Sequence, residues 1–304
     1  VEVATAFTDV ALAAPTFGAT RAPTSNVYRA AWGTGAGRVG KTGGGEESIT
    51  GPSSFTVTEG GQVALFDGHN RRVVLAGGGP TRLVQLPETT FPFGDILATD
   101  RDIYVSEARG LEHLGAVSRF DRAGRLQDRV AAPNGAVQLA QSPSGVAIQS
   151  EGAWRAVTED GSRALVDVTS PAALGNAGAV DAELPDIVTS FTNEDMLVAR
   201  RDDAGGLRAW RVRTSGSLFG GLSLAVPLDD GVLVVVGIWN EDHGENLVLR
   251  LGPEGLRESF TVDYAQWAES LPDGRFDIGP AGLYQLRTDS KGAEVVTYKI
   301  GGKP

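Results

Sequence analysis

Cysteine is absent from the 304 residues, and methionine appears once. Without thiols the chain has no disulfide, no thiolate metal site, no cysteine nucleophile and no lipid-bearing N-terminal cysteine. Lysine is scarce too, at four residues against 23 arginines, a usage associated with high-GC bacterial genomes. The basic residues total 27 against 38 Asp and Glu, for a net charge of −11. A surface this acidic repels phosphate backbones and anionic lipid, so neither nucleic acid nor a membrane face is an expected partner. No run approaches the ~18 consecutive apolar residues of a membrane span. The longest apolar run lies around Gly231–Trp239. The chain opens Val1-Glu2-Val3, with neither a charged n-region nor an apolar h-region. The expectation is an extracytoplasmic protein, secreted or of the cell envelope, read as a mature product or a trimmed piece. Extended helical periodicity is also missing; only Tyr264–Ser270 and Pro171–Ala179 have room for a turn or two.

What the chain has in quantity is glycine, 41 residues, together with short β-rich runs. An alternating apolar run ends in a Gly/Asp/Asn turn and a second run follows at once. These turns centre near Gly60, Arg101, Gly145, Glu194, Asp230 and Ala281, at spacings of 41, 44, 49, 36 and 51 residues. A second turn series interleaves at Gly79, Gly124, Gly161, Gly216, Gly255 and Gly301, where glycine supplies the positive φ of a tight strand reversal. Each unit therefore holds four strands, a to d, in about 44 residues, the size of one propeller blade. The expected fold is all-β: a six-bladed β-propeller of four-stranded antiparallel blades. The expected blades are about 48–90, 91–133, 134–170, 184–219, 220–262 and 264–304. The sixth lacks a d strand, and residues 26–32 (Asn26-Val-Tyr-Arg-Ala-Ala-Trp32) are expected to supply it and so close an otherwise bare edge. Residues 26–304 thus make one domain, preceded by an arm or extended segment over 1–25.

From Gly51-Pro-Ser-Ser-Phe55 through Asp67-Gly-His-Asn-Arg-Arg-Val73, the text resembles an NHL-repeat propeller, and Ser118-Arg-Phe-Asp-Arg-Ala-Gly124 repeats the pattern. The resemblance implies the fold alone, because that family hosts scaffolds, receptors and enzymes alike.

Several local motifs carry possible chemistry. Gly35-Ala-Gly-Arg-Val-Gly40-Lys41-Thr42 is a Walker A string. A phosphate cradle needs a helix N-terminus after it, whereas Gly43-Gly-Gly45 and Pro52 follow, so a flexible glycine loop is expected and no nucleotide. The three histidines, His69, His113 and His243, fall in expected b–c loops. Trp239-Asn-Glu-Asp-His-Gly-Glu-Asn246 is the most elaborate of these loops, and its indole offers a stacking face. The expected binding face therefore comprises His69, Asn70, His113, Trp239, Asn240, Asp242 and His243, with Asp67, Asn70 and Arg71 capping the first b–c turn. Asp95-Ile96, Asp186-Ile187 and Asp277-Ile278 recur every 91 residues at the starts of inner strands. Turned to the propeller axis, these carboxylates would hold Ca²⁺ or Mg²⁺ as the only expected cofactor. No Gly-x-Ser-x-Gly elbow and no nucleophile–base pair is evident. The leading expectation is a non-catalytic recognition or scaffold module for a protein or glycan partner. One alternative is a lactonase-, hydrolase- or lyase-like propeller enzyme with an axial divalent cation. The other is a structural subunit of a cell-surface assembly, gripping a neighbour with the N-terminal arm.

Overall fold

The computed structural model describes residues 7–13, 17–45, 47–88, 90, 94–107, 115–132, 138–142, 145–150, 153–157, 165–168, 187–201, 207–268 and 275–301. They belong to two compact units. One gathers Val1–Ala22, Thr169–Tyr264 and Gly301–Pro304, the other Pro23–Val168 and Ala265–Ile300.

The chain begins with five short strands: β1 (Thr8–Ala11), β2 (Ser25–Trp32), β3 (Arg38–Val39), β4 (Thr42–Gly44) and β5 (Glu47–Thr50). Blade 1 follows as β6 (Ser54–Val57), β7 (Val63–Asp67), β8 (Arg72–Ala76) and β9 (Arg82–Gln85). Blade 2 is β10 (Ile96–Ala98), β11 (Asp102–Glu107), β12 (Gly115–Asp121) and β13 (Leu126–Ala132). Blade 3 is β14 (Gln138–Ser142), β15 (Gly145–Ser150), β16 (Ala153–Val157) and β17 (Leu165–Val168). Blade 4 has β18 (Ile187–Phe191), β19 (Asp195–Arg201) and β20 (Leu207–Arg213). Blade 5 is β21 (Leu218–Leu228), β22 (Gly231–Trp239), β23 (Gly244–Gly252) and β24 (Gly255–Asp263). Blade 6 has β25 (Phe276–Gly279), β26 (Gly282–Thr288) and β27 (Gly292–Tyr298). The fold is a six-bladed β-propeller.

Two blades borrow their fourth strand from the N-terminus. As expected, β2 pairs antiparallel with β27 and completes blade 6. Blade 4 departs from the expectation of an internal d strand after Gly216. Residues 214–217 lead directly into β21 of the next blade, and β1 adds to β20 as a parallel fourth strand.

The second strand of blade 5 is buried through almost its whole length, and it is apolar almost throughout. β22, Gly-Val-Leu-Val-Val-Val-Gly-Ile-Trp, is buried from Gly231 to Ile238. Its even-numbered residues join Met196, Val198, Trp210 and Val212 in one core. In the other unit, Ala64, Phe66, Val73 and Leu75 of blade 1 pack on Ile96, Ile103, Val105 and Phe120 of blade 2. The c–d turns are built locally: Asp121 Oδ1 accepts the N–H groups of Ala123 and Arg125, both at 2.9 Å. Gly124 follows at φ +87°, where a Cβ would stand 2.7 Å from Val84 Cγ1. The a–b turns carry a recurrent threonine, whose hydroxyl accepts from the chain returning into strand b: Thr58 from Gln62, Thr99 from Asp102 and Thr192 from Asp195.

Candidate functional site

At the b–c turn of blade 1 the chain makes a short 3-10 turn over Gly68–Asn70 and leaves it through Arg71 in the left-handed region. Buried Asp67 gathers three donors: Gly40 N–H at 2.8 Å, Asn70 Nδ2 at 2.8 Å and Arg72 Nε at 2.8 Å. The equally buried Arg72 guanidinium donates onward to the carbonyls of Thr34, Gly35 and Arg38. The glycine-rich string is therefore an ordered wrap, not the flexible loop expected. Its Gly40 amide and the carbonyls of Gly35 and Arg38, with that of Thr34 just before it, close onto a buried ion pair, and a Cβ at Gly40 would meet Asp67 Oδ1 at 2.8 Å. After it come β4 and β5, paired as a ribbon, in place of the helix that a phosphate cradle requires.

His69 and Asn70 belong to the same construction. Asn70 Nδ2 also donates to Gly33 O at 3.0 Å. His69 Nε2 lies 3.3 Å from Thr50 Oγ1, and burial lowers the histidine pKa against the opposing pull of Asp67. A hydroxyl beside an imidazole is the start of a nucleophilic pair, but the contact is long. Asp67, the carboxylate that would orient the ring, has both oxygens engaged by Gly40, Asn70 and Arg72.

Asp95 and Asp277 turn out to share one geometry. Each Oδ1 accepts the N–H of the isoleucine after it, at 2.9 and 2.7 Å. Each Oδ2 accepts a backbone N–H from the inner strand of the following blade: Leu139 at 2.7 Å for Asp95, Val57 at 2.6 Å for Asp277. Ser54 of blade 1 adds its hydroxyl to Asp95, and Thr56 adds its hydroxyl to Asp277. Burial pushes both carboxyls up to about 6 despite these bonds, and the Asp95 charge adds to the rise at Asp277. With both oxygens of each taken by N–H donors, these two side chains act as staples between neighbouring inner strands. Asp186 and His113 lie outside the described residues. Among the described residues, no group of three or more His, Asp or Glu side chains is placed to hold a metal ion.

The b–c loop of blade 5 is different, because its side chains face outward. Asn240 Oδ1 accepts the N–H groups of Asp242 at 3.0 Å and His243 at 2.7 Å, and Asn240 N–H donates to His243 O. This closed Asx turn leaves Glu241, Asp242 and His243 exposed, with the Phe17 ring 6.5 Å from His243. Beside it, Trp239 lies on glycine. A Cβ on Gly244 of β23 would stand 2.0 Å from the indole, and one on Gly220 of β21 would stand 2.3 Å from Nε1. The ring therefore sits flush on backbone from both neighbouring strands, and Tyr264 braces its edge at 5.0 Å and 62°. At 38% exposure the outer face is open. Trp267, equally exposed, is instead held between neighbours, with Trp32 at 5.9 Å and the Lys41 ammonium at 5.1 Å.

A cleft of about 320 Å³ opens between blades 1 and 2, lined by Thr58, Glu59, Leu97, Asp100, Asp102 and Tyr104 among others. It lies at the a–b turns, the opposite end of strand b from the expected loop face. The recurrent turn threonines are the sequence signal that marks this end.

No family model matches the sequence, and no curated protein does. Solved structures with a similar fold include a catalytically inactive virginiamycin B lyase from Staphylococcus aureus with quinupristin, 15% identical, covering 86% of this chain and 88% of that one at a TM-score of 0.43. A PQQ-bound aldose sugar dehydrogenase from Streptomyces coelicolor is 10% identical, with 90% and 96% covered at 0.47. A protein of unknown function from Desulfotomaculum acetoxidans is 16% identical, with 84% and 86% covered at 0.45. At these identities and scores none informs the site, and the blade assignment rests on the strand registers.

Proposed function

We propose that this β-propeller is a non-catalytic recognition module that takes a carbohydrate on the b–c loop of blade 5. The observation that carries the reading is the Trp239 indole, laid flat on Gly220 and Gly244 with its other face open. A ring held rigid on one side and bare on the other loses little entropy when the apolar face of a sugar stacks on it. Asp242, His243 and the Asn240 amide nitrogen stand beside it, where they can bond the hydroxyls at the rim of a pyranose. A non-catalytic role is favoured because the sequence offers no Gly-x-Ser-x-Gly elbow, and the Thr50 hydroxyl lies a long 3.3 Å from His69 Nε2.

Tryptophan emission titrated with a panel of soluble neutral oligosaccharides tests the reading. A saturable change is expected for at least one sugar. Trp239→Ala should cost about 2 kcal/mol, or about 30-fold in Kd, as central aromatic anchors do. Gly244→Ala should weaken binding as well, by lifting the ring from its bed. A panel without response, or a Trp239→Ala protein that binds like the parent, would refute the assignment.

A further inference from the structure

The strand β1 sits on blade 4 as a ligand sits on a receptor. It is four residues long, remote in sequence from β20, and runs parallel to it with Thr8 opposite Trp210 and Ala11 opposite Arg213. Its backbone bonding is continued by Leu12 N–H to Arg213 O at 2.8 Å. Its two faces are read separately, as in strand addition generally. Val10, only 5% exposed, enters the core of Met196, Val198, Trp210 and Val212, and Leu12 packs against the same core. On the other face, Phe7 lies 5.1 Å from the Arg211 guanidinium and Asp9 lies 3.8 Å from that of Arg213. Asp195 takes Arg213 from the blade side at 3.2 Å. In a chain of net charge −11, this edge presents two arginines in a row to whatever lies along it.

We infer that the β20 edge of blade 4 is a strand-acceptor site for an extended segment of a partner protein, and that β1 is its occupant in cis. The segment it fits enters parallel to β20 with apolar residues at alternate positions, here Val10 and Leu12. Between and before these it carries an acid for Arg213 and an aromatic ring for Arg211. β1 is one of several holds on the arm: further along, Phe17 packs on the same core, Gly18 N–H donates to Glu245 Oε1 at 2.5 Å and Arg21 pairs with Glu258 at 2.8 Å. β1 itself buries one side chain deeply, and its ion pair is largely exposed, with Asp9 65% and Arg213 52% accessible, where such pairs contribute little. A partner strand making the same backbone bonds can compete with β1 alone, leaving the holds at Phe17, Gly18 and Arg21 in place, and β1 keeps the edge covered in the partner's absence.

A fluorescein-labelled peptide of residues 7–13 is the probe, titrated into the full chain and into its Val10→Asp variant, which keeps the arm but removes the one deeply buried side chain of β1. The variant should bind saturably, and the parent at least about 10-fold more weakly, because its own strand must leave first. A peptide with Val10→Asp should lose about 10-fold against the variant, and one with Asp9→Lys a smaller factor that shrinks with added salt. A variant that keeps its β-sheet circular dichroism yet fails to bind, or equal affinity for variant and parent, would overturn the inference, as would indifference to the peptide changes. Should the variant not fold, hydrogen exchange in the parent decides. Excess peptide should speed exchange at Val10 and Leu12, and unchanged rates would overturn the inference.

Discussion

Lowering the pH from 7.5 to 5 should stabilise this protein, against the common trend for an acidic chain. Asp95 is buried and Asp277 half-buried, and desolvation raises both from an ordinary 3.8 to about 6. A carboxyl whose folded pKa is raised contributes stability that is complete below its unfolded value near 3.8 and is lost as the pH climbs through about 6. Between pH 7.5 and 5 each site takes up nearly one proton more in the folded state than in the unfolded state. That uptake is worth about 1.4 kcal/mol per site, about 3 kcal/mol for the pair. The neutral form fits because the hydroxyls beside the carboxylates, Ser54 at Asp95 and Thr56 at Asp277, can turn from donor to acceptor of the new O–H. His69 opposes the gain: its lowered pKa means that the unfolded chain binds its proton first as the pH falls below 6.5, which removes stability. Urea unfolding at both pH values, on the parent, on His69→Gln and on Asp277→Asn, separates the contributions. His69→Gln should enlarge the gain, and Asp277→Asn should remove about half of it. The Asn variant also sets an amide N–H₂ against the Val57 or Ile278 N–H and so lowers stability at every pH, but the reading is the slope. A slope unchanged by Asp277→Asn would refute the reasoning.

Arg72→Met should cost about 3–5 kcal/mol in urea unfolding, since it leaves Asp67 as an uncompensated buried charge and releases the carbonyls of residues 34, 35 and 38. Gly124→Ala should lower stability by more than about 1 kcal/mol, because the new Cβ meets Val84 at 2.7 Å and φ is +87°. Deleting residues 25–32 strips β2 from β27 and leaves β3, which pairs on its far side, without a partner strand; concentration-dependent aggregation by light scattering should follow.

Wherever its cause was local, the architecture was legible in the sequence. Turn chemistry such as Asp121 bonding the amides of Ala123 and Arg125 ahead of Gly124 acts over four or five residues, so its text repeats with the blades and can be counted. Counting also showed that blade 6 lacked a strand, and β2 was available to fill the gap. β1 left no such trace, because a parallel strand of four residues needs no turn and only Val10 marks its buried side. The Asp-Ile recurrence was visible, but the direction of its carboxylates depends on which inner strand lies alongside, and that belongs to blade packing. For the same reason the Walker string read one way as text and another as structure. Its glycines meet a buried Asp67–Arg72 pair from elsewhere in the chain, and that pair shapes the loop. Trp239 was recognisable as a candidate from its loop. Only the placement of Gly220 and Gly244 on the neighbouring strands makes its ring a fixed surface, because cross-strand neighbours are chosen by register and not by sequence distance.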